Sequence, residues 1–179
     1  KIMVSEKYIR AVPGGIGFAK TGGNYAASIL AEKEAKRNGY TQVLWLDAVE
    51  RRYVEEVGSM NIFFVIDDSI VTPMLTGSIL PGITRMSVIE LGKHWGLHVE
   101  ERRITIDEVL KGLEDGSVTE VFGAGTAAVI SPVSILAYKG KDFKVGNEET
   151  GPVAMRFYDH LTGIQYGRES DPFGWLELI

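Results

Sequence analysis

Asn61-Ile62-Phe63-Phe64-Val65-Ile66-Asp67-Asp68-Ser69 is the stretch from which the fold class is read. Its apolar run is rich in β-branched and aromatic side chains, so it predicts a buried strand, with a turn at Asp67-Asp68-Ser69. The run Ile62–Ile66 is far too short to span a bilayer. Upstream, Val43–Asp47 has the same character and predicts a second buried strand. Between them lies Val54-Glu55-Glu56-Val57-Gly58-Ser59-Met60, an apolar setting that holds two adjacent carboxylates. Alternation along an extended chain points one of them inward, where it needs a cationic partner.

Outward from this centre, strands and helices mix. Met3–Val12 alternates loosely and predicts a strand closed by Pro13-Gly14-Gly15. Asn24 to Asn38 predicts a helix, because Ala27, Ala31 and Ala35 recur at i+4 and Gly39 sits where a C-terminal cap glycine belongs. Downstream, Leu80-Pro81-Gly82 breaks into a helix over Ile83–His94, and Val99–Ile104 reads as a strand. Thr105 and Glu108 have capping-box spacing for a short helix through Leu113. Glu120–Gly123 and Ala128–Val133 predict strands meeting across Ala124-Gly125-Thr126, and a hairpin is expected around Lys139-Gly140-Lys141. Pro152 suits the first position of a last helix whose Val153, Phe157 and Leu161 share a face. There is no regular βαβ rhythm, so the expected class is α+β or mixed α/β. No linker or repeat divides residues 1–179, which are read as a single domain.

A formal net charge of -5 gives no basic field for nucleic acid or an anionic membrane. The chain has no cysteine, so disulfides and thiolate-bound metal are excluded. His94 and His98 are four apart, but Gly96 breaks the helix between them; with His160 they are read as surface or core histidines rather than metal ligands. The opening Lys1-Ile2-Met3 shows no secretory signal and reads like mid-chain sequence, so a soluble cytoplasmic protein is expected.

Three glycine-rich breaks remain. Gly14-Gly15-Ile16-Gly17 lacks the Gly-x-Gly-x-x-Gly spacing of dinucleotide sites, and no P-loop motif occurs anywhere. Gly82-Ile83-Thr84 offers free N–H groups at a helix start plus a hydroxyl, the makings of a cup for a monophosphate. Gly125-Thr126 offers similar groups. Lys20 lies between the first break and Gly22-Gly23. By itself it reads as a solvated charge. The inward glutamate could be satisfied by an arginine or by a protonated pyridine nitrogen.

Taken in order, these segments resemble one family. Gly14 to Tyr25 is similar to the segment around the cofactor lysine of branched-chain aminotransferases, within the fold-type IV enzymes that use pyridoxal 5'-phosphate. Glu55-Glu56-Val57-Gly58-Ser59-Met60-Asn61 resembles the segment that carries its pyridine-binding glutamate. Leu80 to Arg85 and Gly125-Thr126-Ala127 resemble its two phosphate-binding turns, and Asn147 to Gly167 its closing helix. The resemblance implies Lys20 as the Schiff-base lysine and catalytic group. Tyr25 would meet the cofactor's phenolic oxygen, Glu56 its ring nitrogen and Leu80 its ring face. Ile83, Thr84 and Thr126 would hold the phosphate, while Ser59, Thr126 and Ala127 would border the substrate. Arg10 stands where the family also has an arginine. Relatives more often show threonine or glycine at the position of Ser59, and Ala128 and Ser131 replace a thiol pair found in some animal relatives.

The activity so implied is ping-pong transamination of branched-chain L-amino acids with 2-oxoglutarate. D-amino acid transaminase and aminodeoxychorismate lyase are the alternatives within the fold, and an inactive fragment that only folds or dimerises is the alternative outside it. The resemblance also implies a homodimer, and a smaller N-terminal domain that precedes this segment in the family.

Overall fold

A computed structural model of the chain describes residues 1–177. The elements run β1 (Ile2–Val4), α1 (Gly22–Arg37), β2 (Gln42–Leu46), β3 (Val54–Val57), β4 (Met60–Ile66), β5 (Ser69–Pro73) and α2 (Ile83–His94). There follow β6 (Val99–Arg102), α3 (Ile106–Asp115), β7 (Val118–Gly125), β8 (Val129–Pro132), β9 (Ile135–Tyr138), β10 (Lys141–Lys144) and α4 (Pro152–Gln165). Among the described residues ten strands join one sheet with parallel and antiparallel pairs, so the mixed class expected from the sequence is correct. Among the described residues no helix is long and apolar enough to cross a membrane.

β4 is the hub. It pairs with β7 along one edge from Asn61 to Ile66. Its other edge takes β3 at Met60 and Asn61, then β5 at Phe64 to Ile66. Both faces are covered, which is why the sequence runs apolar without alternation. Ile62 and Phe64 enter one core with Leu44, Ile104, Val109 and Val121. Phe63 and Val65 enter the other, with Val88 and Leu91 of α2 and Phe157 and Leu161 of α4. Phe63 stacks on Phe122 with ring centroids 5.3 Å apart. A third cluster packs Ala31 and Ala35 of α1 on Val43 and Trp45 of β2, where only small side chains let helix and strand approach.

Several local expectations differ in extent. The first strand stops at Val4, because the Ser5 hydroxyl donates to the Tyr8 carbonyl at 2.8 Å and accepts the Tyr8 N–H at 3.1 Å. That local ring turns the chain off the sheet before Arg10. Strand β5 was not expected. It follows Asp67 and Asp68, whose φ angles of 45° and 63° make a two-residue hairpin turn of the mirror-image kind. The β7–β8 turn falls on Thr126 to Ala128, two residues later than expected.

Helix ends follow their local chemistry. Thr105 caps α3 by accepting the Glu108 N–H at 3.1 Å. α4 begins at Pro152, as its ring geometry favours, and borrows its cap from a strand: Glu120 accepts from the N–H groups of Val153 at 2.9 Å and Ala154 at 2.8 Å. Gly151 is required there, since a Cβ would overlap the Glu120 carboxylate. Glu120→Ala is expected to destabilise the protein by about 2 kcal/mol, the worth of charged hydrogen bonds to buried donors. Urea unfolding of the full-length protein checks this, with Glu120→Gln falling between the two.

Candidate active site

The register of three strands builds the floor of the site. Glu56 of β3 stands opposite Asn61 of β4, and Asn61 opposite Ala124 of β7. The β3–β4 turn, Gly58-Ser59, and the β7–β8 turn, Thr126 to Ala128, therefore lie at the same end of the sheet. The segment before α2 is tied to this row. Asn61 donates from Nδ2 to the Leu80 carbonyl at 2.8 Å and to Glu56 Oε1 at 3.2 Å, and the Leu80 N–H donates to Glu56 Oε1 at 3.3 Å. Gly82 lies so close to Asn61 Oδ1 that no Cβ would fit. α2 starts next, and among the described residues no side chain caps its first N–H groups. Those of Ile83 and Thr84 are free to bind an anion.

The loop that carries Lys20 is held from α1. Asn24 donates from Nδ2 to the carbonyls of Ile16 and Ala19, both at 2.9 Å. A narrow cleft with only about 20 Å³ of free space lies between the loop and the strands. Tyr25, Glu56, Ser59 and Leu80 line it together with Arg10, Ala19 and Asn24. Lys20 is solvent-exposed beside Ala19 and is not in the lining; nor are Ile83, Thr84, Thr126 and Ala127. The turns bring those last four to the same end of the sheet, where Ile83, Thr126 and Ala127 are exposed and Thr84 is half-buried.

Burial corrects one expectation. Alternation was read as turning one carboxylate inward, yet both Glu55 and Glu56 are buried, at 4 % and 3 % exposure. All four residues of β3 are buried, so both faces of the strand are covered, while β2 and β4 pair along its edges. The cationic partner expected for the inward glutamate is Arg10, whose Nη2 lies 2.5 Å from Glu56 Oε2. The same guanidinium donates to the Gly17 carbonyl at 3.3 Å and to the Ser78 carbonyl. Burial pushes the Glu56 carboxyl up to about 7 against the opposing pull of Arg10. The Glu55 carboxyl is also raised by burial, and the Ser78 hydroxyl donates to its Oε1.

Asn61 and Ser78 escaped the reading of the sequence. Asn61 had a signal, as the one polar side chain in an apolar strand; Ser78 had none, because its partners lie 23 and 68 residues away. His94 packs edge-on against Phe173, and His160 against Trp95.

The arrangement can bind a planar ring with a basic nitrogen at Glu56 and an anionic group at the α2 N-terminus. A sequence profile described as amino-transferase class IV matches residues 11–136. Branched-chain-amino-acid aminotransferase 2 of Bacillus subtilis (strain 168) is 58% identical over 175 residues, covering 98% of this chain and 48% of that protein. The crystal structure of Escherichia coli branched-chain amino acid aminotransferase superposes with a TM-score of 0.85 at 38% identity, over 99% of this chain and 55% of that one. The T.th. enzyme of the same name, complexed with N-(5'-phosphopyridoxyl)-L-glutamate, superposes with a TM-score of 0.84 at 35% identity, over 99% and 55%. The chain spans about half the length of the curated relatives it matches.

Proposed function

The chain belongs to the class IV aminotransferases, and on that premise we propose that the full-length protein is a pyridoxal-phosphate transaminase exchanging amino groups between branched-chain L-amino acids and 2-oxoglutarate. The observation that carries this reading is Glu56: a carboxyl buried at the wall of the cleft, pushed up by that burial, and backed by Arg10 and Asn61. Such a group can hold a proton on a ring nitrogen. The residues present fit the cofactor, because the buried carboxyl and the uncapped start of α2 match its basic and anionic ends. The names of the Bacillus subtilis and Escherichia coli relatives support the substrate class, and the phosphopyridoxyl group of the T.th. complex supports the cofactor.

Pyridoxal phosphate, when bound, supplies an electron sink for the electrons released at the substrate α-carbon. The candidate residues named from the sequence would then divide the work. Lys20 would contribute the amine that anchors the cofactor and would move the α-proton. Tyr25 would donate to its phenolic oxygen, Leu80 would face its ring, and Glu56 would keep its ring nitrogen protonated. The N–H groups of Ile83 and Thr84, with the hydroxyls of Thr84 and Thr126, would receive the phosphate. Ser59, Thr126 and Ala127 would border the substrate carboxylate.

On this reading residues 1–179 form the C-terminal cofactor-binding domain. A smaller N-terminal domain completes the pocket, in a cytoplasmic homodimer. Leucine, D-alanine and aminodeoxychorismate offered to the purified full-length protein test it. Turnover is expected with leucine and 2-oxoglutarate only, with a visible absorbance band from captured cofactor. The 179-residue chain alone is expected to be a poor catalyst, since fixing reactants in place is worth roughly 7–11 kcal/mol and needs the whole pocket. Turnover of D-alanine or aminodeoxychorismate without leucine would overturn the assignment.

A further inference from the structure

Glu55 is a buried carboxylate for which the proposed chemistry has no task. It adjoins Glu56 along β3, and their side chains leave opposite faces of the strand. One loop nevertheless joins them. The Ser78 hydroxyl donates to Glu55 Oε1, and the Ser78 carbonyl accepts from Arg10 Nη2, the nitrogen that also pairs with Glu56 Oε2. The charge of Arg10 is felt at both carboxyls.

Two buried carboxylates thus share one guanidinium, and with both ionised the cluster would carry one uncompensated negative charge. Burying such a charge is costly. The neighbouring groups do not cancel it. Asp47, beyond the end of β2, adds negative field at Glu55. On the Glu55 side of the sheet, Arg103 lies 3.6 Å from Glu50 and is engaged there. On the Glu56 side, the cleft lining holds Tyr25 and Ser59 but no cation besides Arg10 among the described residues. Among the described residues, Glu55 Oε2 and Arg10 Nε are buried without hydrogen-bond partners, so the cluster is not closed by its own groups.

We propose that Glu55 is a positioning residue of the candidate site: with Glu56 it holds one proton over the single guanidinium of Arg10, in the place that a cationic ring nitrogen takes when it binds beside Glu56. This rests on the reading of the site given above. Without cofactor, two carboxylates, one guanidinium and one proton sum to zero. With a protonated ring nitrogen beside Glu56, both carboxylates ionise and the sum is again zero. A ring nitrogen that arrives neutral takes up the cluster's proton; one that arrives protonated displaces it to solvent. Glu55 therefore prevents Arg10 alone from satisfying Glu56, and leaves Glu56 in need of a second cation.

The test is a carbon-13 NMR pH titration of glutamate side-chain carboxyls in the full-length protein freed of cofactor, with Glu55 and Glu56 assigned by substitution. The two carboxyls are expected to titrate as a coupled pair, each resonance showing both steps, with one step near neutral pH. Glu55→Gln, which keeps the size and the hydrogen bond from Ser78, is expected to move the Glu56 step down by about one pH unit, as removal of a like charge does. A Glu56 step that stays in place in Glu55→Gln overturns the proposal. Should that variant not fold, the wild-type curves decide: two independent single-step titrations overturn it as well. Capture of pyridoxal phosphate, read from absorbance of the same sample, reports on the functional reading separately, because the titration needs no cofactor.

Discussion

Lys20→Ala in the full-length protein is expected to lower leucine turnover by about 10³-fold or more, because one substitution removes both the cofactor's anchor and the group that moves the α-proton. Stability should barely change. Lys20 is exposed, and the loop around it is held by the bonds from Asn24 to the Ile16 and Ala19 carbonyls rather than by the lysine. Exposed substitutions of this kind stay within about 0.5 kcal/mol. The signature is thus a folded enzyme that still takes up cofactor, with the absorbance of the unanchored aldehyde and almost no turnover. Lys20→Arg should lose as much, since a guanidinium keeps the charge but does not give up a proton near neutral pH. Wild-type turnover by either variant would remove Lys20 from the reaction.

Glu56→Gln is expected to slow α-proton removal by about 10²-fold, by analogy with the loss of other preorganised electrostatic groups. The amide oxygen can still accept from Asn61 Nδ2 and the Leu80 N–H, so the shape of the cleft should persist. What disappears is the negative charge beside the ring nitrogen. The substitution also leaves Arg10 without its closest counter-charge, and breaking a buried pair costs about 3–5 kcal/mol when no other carboxylate helps. Glu55 shares that guanidinium, so the observed cost should fall below this range. Single-turnover kinetics with leucine, normalised to bound cofactor, separates the chemical loss from the loss of fold. An undiminished rate of proton removal would exclude Glu56 from the mechanism.

The local elements follow from a few neighbouring residues each. α2 spans Ile83–His94 as expected, because Pro81-Gly82 cannot continue upstream as helix. α3 starts where Thr105 caps it, and α4 where Pro152 presets the backbone. The Lys139-Gly140 hairpin forms because both residues sit at positive φ, 50° and 74°. The order of the cofactor segments was legible for the same reason: each is a short run whose resemblance does not depend on its neighbours in space. Which groups meet, by contrast, depends on packing between segments distant in the chain. Alternation could not foresee that both faces of β3 would be covered, because the Ser78 hydroxyl that meets Glu55 lies 23 residues away along the chain. Nor could it select Arg10, far from Glu56 along the chain, over any other cation, or join Glu55 to Arg10 through Ser78. These contacts arise when the loop before α1 closes onto the sheet. Their strength comes from the low-dielectric interior that closure creates, a property of the packed whole and not of any segment.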